Sequence, residues 1–241
     1  MKQIQLGTRK MIQWLFIGLI LILAAINWFI NERHERKAPT KTEQRVLADI
    51  PQNLGQYDTV MAQDKLGQNR TAKVDYYMLA LSWSPGFCEI QKHKNEGDTP
   101  RHLQYQCGEE SQFGWVIHGL WPQSRQAREP ADHPRFCQGD LPPLPVALIK
   151  QYLPESPGAA LLQGQWEKHG ACAFDSAEQY FAKQKALFDR LVLPNEAMSR
   201  KALFQWLKSH NPELKTAYLG ASKNELYICY DRHWNVMDCP R

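Results

Sequence analysis

The pattern of apolar and polar positions divides the chain into three stretches of different character. Residues 11 to 30, "MIQWLFIGLILILAAINWFI", run for twenty positions without a charge. As a helix this segment rises about 30 Å, the hydrocarbon thickness of a bilayer. Trp14 and Trp28 lie near its two ends, where indole rings favour the membrane interface. Residues 31 to 70 are polar, carry scattered Pro and Gly and show weak periodicity, so they predict a stalk or loosely packed extension.

Beyond residue 71 the pattern becomes that of a folded body. "KVDYYMLALSW" predicts a strand ending in the turn signal "SPG"; "FGWVIHGLW" predicts a second strand and "NELYICYD" a third. The period changes to that of a helix in "DSAEQYFAKQKALFDRLV". There Ser176 and Gln179 form a candidate capping box, and Tyr180, Leu187, Phe188 and Leu191 share one face. "SRKALFQWLKSH" predicts another helix, stopped by Asn211 and Pro212. There is no internal repeat. Strands separated by helices of unequal length predict an α+β domain over 71–241.

The N-terminal apolar run changes where this domain is placed. A cleavable signal has a shorter apolar core and a small-residue exit site, whereas this run continues past Ala25 as "INWFINERH". The expected organisation is therefore a cytosolic N-terminus over 1–10, a transmembrane anchor or signal over 11–30 with the uncleaved anchor favoured, the polar stalk over 31–70, and the domain. Basic residues flank the run on both sides, so they do not orient it. A net charge of +4 suggests a polyanionic partner, but Lys2, Arg9 and Lys10 supply three of those charges, leaving +1 on residues 32–241. Any nucleic acid must then be held by a local cluster of cations. Six cysteines, Cys88, Cys107, Cys137, Cys172, Cys229 and Cys239, all follow the apolar run and none shows a C-x-x-C spacing. An even count of that kind suits disulfides in an oxidising compartment, the periplasm or the cell surface, better than zinc or cytosolic redox chemistry.

Two stretches carry candidate chemistry. "GWVIHGLWPQ" places His118 at the end of an apolar run, and "GQWEKHGAC" brings Gln165, Lys168 and His169 onto one helix face, with Gly170 as the expected stop. For an isolated histidine the structural role is the default, and it is kept for His34, His93, His102, His133, His210 and His233. For the pair the context reverses it. One neutral imidazole can take a proton from a nucleophile while a protonated one gives a proton to a leaving oxygen, and a lysine can neutralise charge on a phosphoryl group. RNA brings its own nucleophile in the 2′-hydroxyl, which DNA lacks. Trp83, Trp115 and Trp166 are expected in the core, since a buried indole more often packs than stacks.

"IHGLWP" and "WEKHGAC" resemble the two signature segments of the ribonuclease T2 family, "LSWSPGFC" its opening strand and first cysteine, and "LYICYD…DCP" its closing strands, in the same order across about residues 73–240. The resemblance implies that His118 and His169 are the acid and base, with His169 the favoured base, and that Lys168 stabilises pentacoordinate phosphorus. It further implies that Trp121 stacks on a base and that Gln123 contacts base edges. It implies the pairs Cys88 with Cys107, Cys137 with Cys172, and Cys229 with Cys239. Many members read His-Glu-Trp where this chain has Gly164, Gln165 and Trp166, so an amide replaces a glutamate and activity is expected to be reduced or tuned. Glu167 does not substitute, because two positions along a helix it points about 200° away.

The combined expectation is an α+β fold with a central antiparallel sheet flanked by helices and stabilised by disulfides. Its expected function is endonucleolytic cleavage of single-stranded RNA through a 2′,3′-cyclic phosphate to 3′-phosphate ends, with no metal and no cofactor. The partners are RNA and, through the N-terminal helix, a membrane; no protein partner is implied and a monomer is expected. Two alternatives stand beside it. A zinc hydrolase would use the histidines as ligands, but the chain has no H-x-x-x-H pair. A catalytically silent RNA-binding module on the same fold is the alternative that Gln165 raises.

Overall fold

The computed structural model describes residues 50–240. The expected anchor at 11–30 lies outside the described residues, and among those described no helix is long and apolar enough to cross a membrane. The elements run β1 (Tyr76–Trp83), α1 (Ser84–Lys94), α2 (Gln104–Cys107), β2 (Trp115–Gln123), α3 (Val146–Tyr152), α4 (Ala159–Lys168), α5 (Ala177–Phe188), α6 (Arg200–His210), β3 (Gly220–Ala221), β4 (Glu225–Tyr230) and β5 (Val236–Met237).

The three strands predicted from the sequence are β1, β2 and β4, and they are consecutive neighbours in one antiparallel sheet of order β2-β1-β4-β3, with β5 also on β4. Side chains alternate across a strand, so one face collects Leu79, Leu81, Ile117, Leu120, Leu226 and Ile228. All six are buried. They pack in one core with Ile149 of α3, Leu162 of α4, Tyr180 and Phe181 of α5 and Leu207 of α6. Each such side chain contributes about 1.5–3 kcal/mol on burial, which is why the helices gather on that side of the sheet.

Local signals set the ends of the helices. Ser176 accepts a hydrogen bond from the Gln179 backbone N–H at the start of α5, and Ser199 from that of Ala202 at the start of α6. α6 stops at Asn211, whose amide donates to the carbonyls of Leu207 and Val192 and accepts from the Val192 N–H. The "SPG" segment does not form a turn. It opens α1 with Pro85 in the first turn, where the missing N–H of proline has no intrahelical partner to lose.

Residues 50–70 also depart from expectation. They belong to the packed body: Ile50, Leu54 and Tyr57 lie against the core, Tyr57 Oη donates to the Leu144 carbonyl at 2.7 Å, and the Met61 N–H donates to Asp140 at 2.5 Å. Three scattered apolar residues and widely spaced hydrogen bonds hold this segment, so it leaves no periodic pattern in the sequence. Trp166 is buried in the core and Trp115 packs at its margin, while Trp83 lies against Trp115 with ring centroids 5.4 Å apart.

Three disulfides pair as the resemblance implies, Cys88 with Cys107, Cys137 with Cys172, and Cys229 with Cys239. They are consistent with a body outside the cytosol. The second bridge ties the loop after β2 to the turn after α4.

Candidate active site

β1 and β2 pair with a shift in register: Ala80 faces Gly119 and Leu81 faces Ile117, which leaves His118 as the extra, unpaired residue of a bulge. In a regular strand His118 and Trp121, three apart, would point to opposite faces. The bulge re-aims the histidine. Its imidazole meets the edge of the Trp121 indole, with centroids 5.2 Å apart.

That face of the sheet also carries Glu225 and Tyr227, which pair across β1 with Ser82 and Ala80. Glu225 Oε1 lies 2.5 Å from His118 Nδ1, and Tyr227 Oη donates to Glu225 Oε2 at 2.5 Å. Burial alone would raise the Glu225 carboxyl, but the hydrogen bonds from His118 and Tyr227 outweigh it and hold the group below the usual range. A carboxylate at Nδ1 fixes the ring and leaves Nε2 for another partner.

The second segment arrives from the end of α4. The helix ends at Lys168, with His169 as its C-cap residue, its backbone N–H still bonded to the Gln165 carbonyl at 3.1 Å. The stop thus comes one residue before the expected position at Gly170. Gly170 instead serves close packing, since a Cβ there would lie 2.6 Å from the Trp166 ring and 2.7 Å from that of Tyr180.

His169 is 7% exposed and its ring lies against Trp121, with centroids 5.6 Å apart. Its Nδ1 is buried without a hydrogen-bond partner. Burial, the Arg135 and Lys168 cations and the neighbouring His118 together push its pKa well below the ordinary imidazole value. It is therefore neutral at pH 7.

One indole touches both imidazoles, and its Nε1 donates to Gln165 Oε1 at 2.7 Å. Gln165 reaches that position because residue 119 is glycine. A Cβ at 119 would lie 1.9 Å from Gln165 Oε1. Trp121, Gln165, His118 and His169 are thus brought together, with the indole partly buried among them. Lys168, at the same helix end, has its ammonium 2.5 Å from Asp64. Glu167 points away as its helical position predicts, fully buried with Gln163 donating to it at 2.5 Å, and burial raises its carboxyl. Gln123 is not brought in. It is 6% exposed and its amide donates to the Pro122 carbonyl at 3.1 Å.

Four participants were missed in the sequence: Glu225, Tyr227, Asp64 and Arg135. Alternation within "NELYICYD" puts Glu225 and Tyr227 on one face, a signal that was present. Nothing local marks Asp64, whose partners are 71 positions away at Arg135 and farther still at Lys168.

A neutral buried imidazole, a second one paired with a carboxylate, and a nearby ammonium can move protons around a group that develops negative charge. Fold and site together define the class: a disulfide-bonded α+β protein that gathers acid–base groups around one indole. The Ribonuclease T2 family model matches residues 74–221. The chain is 62% identical over 189 residues to a probable ribonuclease of Haemophilus influenzae, covering 78% of this chain and 70% of that protein. It is 29% identical over 136 residues to ribonuclease I of Escherichia coli, covering 44% of this chain and 50% of that one. Among solved structures it resembles an RNase-related protein from Calystegia sepium, with a TM-score of 0.51 and 18% identity over 70% of this chain and 92% of the other, a likeness of fold. The chain belongs to the ribonuclease T2 family, and it is an endoribonuclease.

Proposed function

We propose that this ribonuclease cleaves single-stranded RNA by transphosphorylation, with His169 as base and His118 as acid. The 2′-oxygen attacks the adjacent phosphorus while His169 Nε2 takes its proton. The bond from phosphorus to the 5′-oxygen breaks, and that oxygen takes a proton from His118 Nε2. The products are a 2′,3′-cyclic phosphate and a free 5′-hydroxyl. In a slower second step water gives a proton to His118 and attacks the phosphorus, the bond from phosphorus to the 2′-oxygen breaks, that oxygen takes a proton from His169, and a 3′-phosphate remains.

The observation that carries this reading is the difference between two imidazoles packed on one indole. His169 is kept neutral by burial and by nearby cations, the state a base needs. His118 has the Glu225 carboxylate at Nδ1, the partner of an imidazolium. Lys168 neutralises charge on the equatorial phosphoryl oxygens, and the Gln165 amide nitrogen, its oxygen already engaged by Trp121, donates to the same oxygens. Trp121 offers a ring to a base splayed out of a single strand. The three disulfides and the charge-free run at 11–30 support a site of action outside the cytosol, with the domain tethered to a membrane by that run.

The test is incubation of the purified protein with an RNA oligonucleotide in chelator, reading the end groups. Cyclic phosphate ends are expected from the wild type and not from His118→Ala or His169→Ala. Full activity in either variant, or 5′-phosphate products, would overturn the assignment.

A further inference from the structure

We propose that Asp64 is a positioning residue for RNA cleavage, delivered by a strap that lies before the region the family model matches. The strap is residues 57–70, and the inference rests on the reading of Lys168 as the cation that meets the phosphoryl group. Asp64 Oδ2 lies 2.5 Å from Lys168 Nζ, and Asp64 Oδ1 lies 2.7 Å from an Arg135 guanidinium nitrogen. The Leu66 backbone N–H donates to the same Oδ1 at 3.0 Å, so three donors fix the carboxylate. Burial opposes its ionisation, but these partners hold its pKa at about 2.

The strap is seated along the loop that carries Cys137. Asn69 and Arg135 exchange backbone hydrogen bonds, each 2.9 Å, and the Gln68 amide donates to the Phe136 carbonyl at 2.6 Å. That loop is in turn bonded to the end of α4, because the Phe136 N–H donates to the Lys168 carbonyl at 3.0 Å. Strap, loop and helix end therefore form one hydrogen-bonded stack, and Asp64 closes it at the level of the lysine ammonium.

A carboxylate beside a site for polyanionic RNA repels the substrate unless it is neutralised. Asp64 is neutralised twice over, and the triad with Lys168 and Arg135 retains one net positive charge. An ammonium has three N–H donors and Asp64 takes one of them, which sets the direction of the other two. The Lys168 side chain keeps 26% of its surface exposed, so those donors have room for a phosphate oxygen. Without the acid, the long lysine side chain and the buried guanidinium would repel each other beside the His169 ring.

The test is a double-mutant cycle on the full-length chain, measuring single-turnover cleavage of an RNA oligonucleotide by wild type, Asp64→Asn, Lys168→Ala and the double variant, with thermal melts of each. Asp64→Asn is expected to slow cleavage roughly tenfold with little change in KM, the scale of a misplaced catalytic group. The double variant is expected to cleave within about twofold of Lys168→Ala alone, since Asp64 acts through the lysine. Should Asp64→Asn fail to fold, Asp64→Glu keeps the charge and shifts it by one methylene, and its loss of rate is expected to vanish in the Lys168→Ala background. Losses that multiply, or a faster Asp64→Asn enzyme, would overturn the role of Asp64 while leaving Lys168 in place. If Lys168→Ala cleaves at the wild-type rate, the lysine reading falls and this inference with it.

Discussion

The indole nitrogen of Trp121 donates to the side-chain oxygen of Gln165 across 2.7 Å, joining the strand motif to the helix motif. The bond leaves the amide with donors but no basic atom. Replacing Gln165 with glutamate keeps the acceptor for Trp121 and places an anion next to His169. An anion favours the protonated imidazole, so the acidic limb of the rate profile in Gln165→Glu should move to higher pH, with a faster single turnover at its optimum. Single-turnover rates measured across pH decide it, and an unmoved limb would mean that residue 165 does not act on the base.

In the wild type the sign is the opposite. Burial and the cations at Arg135 and Lys168 disfavour a charged His169, so the base stays neutral as pH falls through the ordinary imidazole range. The acidic limb of kcat should therefore fall below pH 6.5. A limb at or above that value would contradict His169 as the base.

Glu225 Oε1 lies 2.5 Å from His118 Nδ1 and fixes the orientation of that ring. Glu225→Gln keeps the shape and removes the charge, and is expected to lower kcat by roughly tenfold to a hundredfold while KM changes little. Tyr227→Phe, which removes the hydrogen bond to Glu225 Oε2, should cost less. A change confined to KM would assign Glu225 to binding instead.

Gly119 is a steric requirement of the site. In Gly119→Ala the new methyl collides with Gln165 Oε1 and must break its bond to Trp121, at about 1–3 kcal/mol of stability, the usual cost of overpacking. Denaturant unfolding measures the stability, and cleavage of the folded variant should be slow. A variant as stable and active as wild type would show that residue 165 can sit elsewhere.

Asp64 also sets a pH dependence of folding. Its folded pKa is depressed from 3.8 to about 2, so its contribution is complete above pH 4 and is lost as pH falls toward 2. The lost amount is about 2 kcal/mol. Asp64→Asn should thus lie closest to wild type in stability near pH 2 and fall furthest behind above pH 4, as urea midpoints over that range would show.

Which parts of this picture belong to the sequence follows from the range of the forces involved. Strands β1, β2 and β4 and helices α5 and α6 were legible because alternation, helical periodicity and the Ser176 cap act over a few residues. His118, Lys168 and His169 could be singled out as candidates because two compact motifs carry them. The bulge that turns His118 toward Trp121, the contact of that ring with Glu225 at a separation of 107 residues, and the seat of residues 50–70 were decided only by the tertiary structure. Register between strands and the docking of a polar segment depend on groups far apart in the chain, which no local pattern encodes. That is also why Pro85 suggested a turn where a helix begins, and why Gln123, read from its place after the motif, proves to be packed against its own strand.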